Sequence, residues 1–141
     1  MLIFINLIVW GTEMEAEHAN FEVLLLEDQA LIAIYVEELL HQAGFQTVNT
    51  VSSCLAAAEW LQSHTPGLAV IETRLRDGQC DAVAQMLESR GVPYLVHTAG
   101  SERGDPSHGS LQQTCAWLPK PCDPDDFLAA IRHCLSECVV H

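Results

Sequence analysis

The sequence predicts a doubly wound α/β domain, a parallel sheet with helices on both faces, and three observations predict it. Short apolar runs recur at Phe21-Glu22-Val23-Leu24-Leu25-Leu26, Leu68-Ala69-Val70-Ile71 and Val92-Pro93-Tyr94-Leu95-Val96. The middle run shows no polar alternation, which suits a strand covered on both faces. Between the runs lie stretches with apolar residues at helical spacing, closed by Gly44 and Gly91. The alternation continues to the end of the chain as five strand-helix units, and strict alternation places crossover helices on both sides of one sheet.

Each element has its own signal. After the first strand and the acids Glu27-Asp28, the segment Gln29 to Ala43 carries Ile32, Val36, Leu39 and Leu40 on one helical face, and Gly44 supplies the stop. Gln46 to Val51 mixes polar and apolar residues, as an outer strand does, and Ser52 or Ser53 can cap a helix from about Cys54 to Gln62. The third strand is bounded by Pro66-Gly67 and Asp77-Gly78. It delivers Glu72 at its carboxyl end, where ligands bind in open α/β sheets. Asp81 to Ser89 is the next helix, followed by the fourth strand, which delivers His97 and Thr98. Ala99 to Cys115 is rich in Gly, Ser, Asp and Pro with only Leu111 as a large apolar residue, so the fourth helix is short at best. Ala116-Trp117-Leu118 reads as a fifth strand, with Pro119 marking a sheet edge where a missing N–H costs little. The last helix starts clearly. Asp123 stands at its cap, Pro124 at its first turn, and Asp125 and Asp126 at the positive end of its dipole. Phe127, Leu128, Ile131 and Leu135 form its apolar face.

At 141 residues and 49% hydrophobic content, the chain has the size and core of one domain. Its formal charge of -13 repels nucleic-acid phosphate and anionic membranes, so neither is an expected partner. The six cysteines show no C-x-x-C spacing, and reduced thiols in a cytoplasmic protein are the expectation. Residues 1–20 read as an N-terminal extension to a domain at 21–141. The apolar stretch from Met1 to Trp10 lacks a basic flank and falls short of a membrane span, and Met14 is a candidate natural start. Near the other end, His133, Cys134, Glu137, Cys138 and His141 are zinc-ligand types at helical spacing. The better reading gives Cys134 and Cys138 to the apolar face of the last helix.

Strand ends bring Glu27, Asp28, Glu72, Thr98 and Lys120 to one rim. Three carboxylates together repel one another unless a hard cation such as Mg²⁺, or the ammonium of Lys120, offsets their charge. A hydroxyl and an ammonium opposite them are the donors that would surround a phosphoryl group. An enzymatic alternative, a small Mg²⁺-dependent phosphohydrolase, would use the same rim. No D-x-D at a strand end and no Cys-to-Arg phosphatase loop supports it.

Four stretches, in this order and spacing, carry a family resemblance: Leu24-Leu25-Leu26-Glu27-Asp28, Leu75-Arg76-Asp77-Gly78, His97-Thr98-Ala99 and Leu118-Pro119-Lys120-Pro121. Over residues 21–138 the chain resembles a receiver domain of two-component response regulators. The resemblance implies a flavodoxin-like sheet of strand order 2-1-3-4-5. It assigns Mg²⁺ to Glu27, Asp28, Glu72 and the carbonyl of Arg74, and phosphoryl-contacting or switch positions to Thr98, Ala99, Trp117, Lys120 and Pro121. A cis peptide between Lys120 and Pro121 is also implied. It further implies a non-enzymatic, stand-alone, cytoplasmic module acting by protein contacts in a phosphorelay. Its partners would be a histidine kinase, a phosphotransfer or output protein, or a second copy of itself. One departure bears on mechanism: Glu72 stands where the family has its phosphoacceptor aspartate. The extra methylene carries the carboxylate about 1.5 Å further out, towards the place of a phosphoryl group. It also spoils an attack geometry set for the shorter side chain. The expectation is an atypical receiver in which Glu72 imitates the phosphorylated state, with a relic pocket as its competitor.

Overall fold

The computed structural model describes residues 21–99 and 114–140. The N-terminal extension with Met14, most of the expected fourth helix, and His141 of the zinc reading lie outside the described residues.

Strand β1 (Glu22–Leu26) is followed by α1 (Ala30–Gln42), β2 (Thr47–Val51), α2 (Cys54–Leu61) and β3 (Leu68–Ile71). A small antiparallel pair, β4 (Arg74–Leu75) and β5 (Gly78–Gln79), precedes α3 (Asp81–Ser89). Then come β6 (Tyr94–Thr98), β7 (Ala116–Pro119) and α4 (Pro124–Val140). The sheet is parallel in the order β2-β1-β3-β6-β7, the expected 2-1-3-4-5 arrangement. The mixed strand β2 and the proline-bearing β7 are its two edges. The hairpin β4-β5 was not foreseen, because two-residue strands lack a periodicity to read.

The central strands are mostly apolar, with Glu22 at the start of β1 and His97 and Thr98 at the end of β6, yet their side chains still divide by pleat. Leu24, Leu26, Ala69, Ile71 and Val96 pack with Ala57, Leu61, Val83 and Leu87 of α2 and α3. Val23, Leu25, Leu68, Val70 and Leu95 pack on the opposite face with Val36 and Leu40 of α1 and Phe127 and Ile131 of α4. Trp117 follows the same rule and joins the α2–α3 side. Ala116 and Leu118 take the opposite face, that of α4. Cys134 is fully buried with the apolar face of α4, and no group of metal-ligand residues forms among the described residues.

Close packing fixes the entry to β3. A Cβ at Gly67 would lie 2.3 Å from Cδ2 of Phe21, and Gly67 N–H donates to the Glu22 carbonyl at 2.9 Å. The fourth sheet strand begins two residues later than expected, because pairing with β3 starts at Tyr94, opposite Ala69. Pro93 has no N–H to give and contributes only its carbonyl, to Ala69 N–H.

One expectation is overturned. Cys54 and Cys80 are joined by a disulfide, with their Cα atoms 5.3 Å apart, whereas composition pointed to reduced thiols. The reason is tertiary: the crossover after β3 brings residues 26 apart in sequence to the same end of α2 and α3. Cys115, Cys122 and Cys134 form no disulfide among the described residues.

Candidate functional site

Four strand ends build the site. Glu27 follows β1, Glu72 follows β3, Thr98 closes β6 and Lys120 follows β7. Backbone bonds extend the parallel ladder to these positions: Glu72 N–H donates to the Leu26 carbonyl at 3.0 Å, and Lys120 N–H to the Thr98 carbonyl at 3.1 Å. The peptide between Lys120 and Pro121 is cis, as the resemblance implied.

The ammonium of Lys120 bridges two carboxylates. It donates to Glu72 Oε1 at 2.6 Å and also to Glu27 Oε1. All three groups are withdrawn from solvent, with side-chain exposures of 7% for Lys120, 2% for Glu27 and 12% for Glu72. Two carboxylates and one ammonium leave a net negative charge, so the remaining oxygens need donors. Gln29 N–H donates to Glu27 Oε2 at 3.1 Å, and Thr73 N–H to Glu72 Oε2 at 2.9 Å. The sequence raised two ways to offset the acidic cluster, and this structure uses the internal ion pair.

Asp28 stays apart from that pair. It is half-buried and has no hydrogen bond or ion pair among the described residues. Arg74 begins β4 with an exposed side chain. Thr98 is buried, and its hydroxyl lies 3.5 Å from the Thr73 hydroxyl, which is itself 3.4 Å from Glu72 Oε2. Ala99, Lys120 and Pro121 meet Ile32, Tyr35 and His97 around a pocket of about 340 Å³. Trp117 does not line it, but borders a second cavity of about 700 Å³ with Pro121 and Asp126.

Two members of this neighbourhood were given no role from sequence. Thr73 supplies both a backbone and a side-chain donor to Glu72, and its place next to Glu72 was the available signal. His97 is buried, edge-on to Phe127 with ring centroids 5.6 Å apart. Burial, with the nearby Lys120 charge adding to it, pushes the His97 pKa down to about 4 against an upward pull from Glu72. The imidazole is neutral at pH 7. The turn residue Asp77 proves to be a helix cap: its carboxylate accepts from Cys54 N–H at 2.8 Å and Leu55 N–H at 3.0 Å, and these bonds hold its pKa below the ordinary value.

Residues 23–132 match the family model described as the response regulator receiver domain. The chain belongs to this family. Receivers are signalling modules. This receiver is 31% identical over 116 residues to the transcriptional regulatory protein PdtaR of Mycobacterium tuberculosis, which covers 81% of the chain and 56% of that relative. It therefore spans little more than half of the relative's length. Among solved structures, the receiver domain of PhyR from Erythrobacter litoralis superposes with a TM-score of 0.73 at 28% identity, covering 86% of this chain and 93% of that one. The receiver domain of sensor histidine kinase PA1611 from Pseudomonas aeruginosa, solved with magnesium in its active-site cleft, shares the fold. It has a TM-score of 0.70 and 20% identity, and covers 84% of this chain and 99% of that one. Among the described residues of this receiver, no helix is long and apolar enough to cross a membrane.

Proposed function

We propose that this receiver acts in the cytoplasm by protein contact in a phosphorelay, and that Glu72 holds its rim in the state that phosphorylation would otherwise produce. The observation that carries the reading is the 2.6 Å contact between Glu72 and Lys120. The longer acidic side chain already engages the ammonium that a phosphoryl group would engage. Through Thr73 it is also linked, at longer range, to the Thr98 hydroxyl. A carboxylate with an ammonium on one oxygen and a backbone N–H on the other is a poor nucleophile towards a phosphodonor, because attack through either oxygen would disturb the contact that oxygen makes. The partner would be a histidine kinase, a phosphotransfer protein or an output protein that reads the surface set by this rim, or a second copy of the chain.

The donor types suit Mg²⁺, but among the described residues Glu27, Asp28 and Glu72 do not converge as a three-ligand group, and Lys120 stands between Glu27 and Glu72. The site is built from carboxylate oxygens, the ligands of a hard divalent ion, and Asp28 has a carboxylate without a partner among the described residues. Glu27, Asp28 and Glu72, with the carbonyl of Arg74, are the groups that would hold it. Bound there, the ion would supply positive charge against a phosphoryl group. Lys120 would then have to yield part of its hold on Glu27 and Glu72.

The test is intact mass after incubation with Mg²⁺ and acetyl phosphate, for the natural chain and for Glu72→Asp. A phosphoryl gain confined to the aspartate variant is the expected result, and a gain in the natural chain would refute the mimic. As a second readout, Glu72→Gln is expected to loosen Lys120 and speed amide exchange at β7. Unchanged exchange would count for a relic pocket.

A further inference from the structure

We propose that Cys54 and Cys80 form a thiol–disulfide switch that sets the order of the loop at 73–80, and through Thr73 the hold on Glu72. The covalent pair lies outside the acidic rim, and its loop readout does not depend on the mimic reading.

Position carries the argument. Cys54 is the first residue of α2 and Cys80 directly precedes α3, and the 5.3 Å between their Cα atoms lies within the range that a disulfide spans. The bridge therefore fastens the end of the loop that starts at Glu72 to a neighbouring helix. Cys80 N–H donates to the Thr73 carbonyl at 3.2 Å, closing the loop on itself. The other side of Thr73 holds Glu72, at 2.9 Å through its N–H. One bond and one short hydrogen-bonded path thus join the sulfurs to the rim.

Both oxidation states are accommodated. When the bridge is open, the Cys54 thiol has an acceptor in the Gly78 carbonyl 3.4 Å from its sulfur, and Asp77 still caps α2 through Cys54 and Leu55 N–H. The helix end therefore survives reduction, while the loop is left with the weaker tether. Cys54 is half-buried and Cys80 is 3% exposed, so Cys54 is the sulfur that a reagent can reach.

The chemistry is ordinary exchange with a small dithiol. A reagent thiolate attacks Cys54 Sγ, the Sγ–Sγ bond breaks, and its electron pair leaves on Cys80, which takes a proton. The second reagent thiol displaces Cys54 from the mixed disulfide. The protein gains two electrons and two protons, and the dithiol becomes a disulfide. A small disulfide such as oxidised glutathione drives the reverse.

The 141-residue chain tests this. Under non-reducing conditions, iodoacetamide should leave Cys54 and Cys80 unlabelled, and a linked peptide containing both should be recovered. After dithiothreitol both should take label, amide exchange over 73–80 should rise several-fold, and oxidised glutathione should restore the protected state. Cys54→Ser should show the fast loop with or without reductant. Labelling of both cysteines before reduction would overturn the proposal. So would loop exchange that ignores reduction in the natural chain, a result that needs no variant to fold. Failure of oxidised glutathione to re-form the bond would also overturn it, because a switch must run in both directions.

Discussion

Lys120 is the only lysine of the sequence, and it sits where a cation is worth most, between two carboxylates that are almost out of water. Removing the ammonium from such a set leaves both carboxylates charged and without it, which costs about 3–5 kcal/mol. Lys120→Met is expected to lose stability of that order in urea unfolding. Glu72→Gln, which leaves Lys120 paired with Glu27, should lose much less. His97 makes a pH prediction. Its folded pKa of about 4 lies below the value for an unfolded chain, so between the two the unfolded state binds more protons. The neutral burial of His97 thus contributes stability that is complete above about pH 6.5 and is lost progressively as pH falls towards 4. Urea midpoints between pH 7 and pH 5 should fall, and His97→Gln should flatten that slope. The rim acids and Lys120 were legible in sequence because each follows an apolar strand. The burial of His97 was not, because its imidazole faces α4, whose docking is set elsewhere in the chain.

At the scale of elements, α2 shows how local signal and tertiary contact combine. Ser53 caps it in the usual way, accepting from Ala56 N–H at 3.0 Å, which resolves the choice between the two serines. Asp77 reaches the same helix end from a different turn and satisfies the N–H groups that Ser53 does not. Ser53→Ala is expected to cost about 1 kcal/mol. Asp77→Ala should lower the melting temperature and speed exchange at Cys54 and Leu55. Its contribution is present above the ordinary carboxylate pKa and disappears as pH falls through the depressed one. Chain-local chemistry announced Ser53, while Asp77 read only as part of a turn. The hairpin β4-β5 and the disulfide belong to the same class, since both depend on where the β3 crossover returns.

For the whole molecule, the charge of -13 sets a self-repulsion that small ions screen. Raising salt from about 20 mM to about 200 mM should therefore raise the melting temperature, with the buried Lys120 pair little affected. A fall in melting temperature would show that surface ion pairs outweigh the repulsion. The strand order rested on the family resemblance, whereas the alternation of apolar runs with helical stretches determined the layers and the set of strand ends forming the rim. Those features follow from periodicity and turn chemistry, which act over a few residues. The tertiary structure decided the rest. It chose the Lys120 ammonium as the cation between Glu27 and Glu72, turned Trp117 to the face of α2 and α3, buried a neutral His97 and joined Cys54 to Cys80. Each of these depends on distances between residues far apart in the chain, and such distances exist only once the sheet has fixed its order and register.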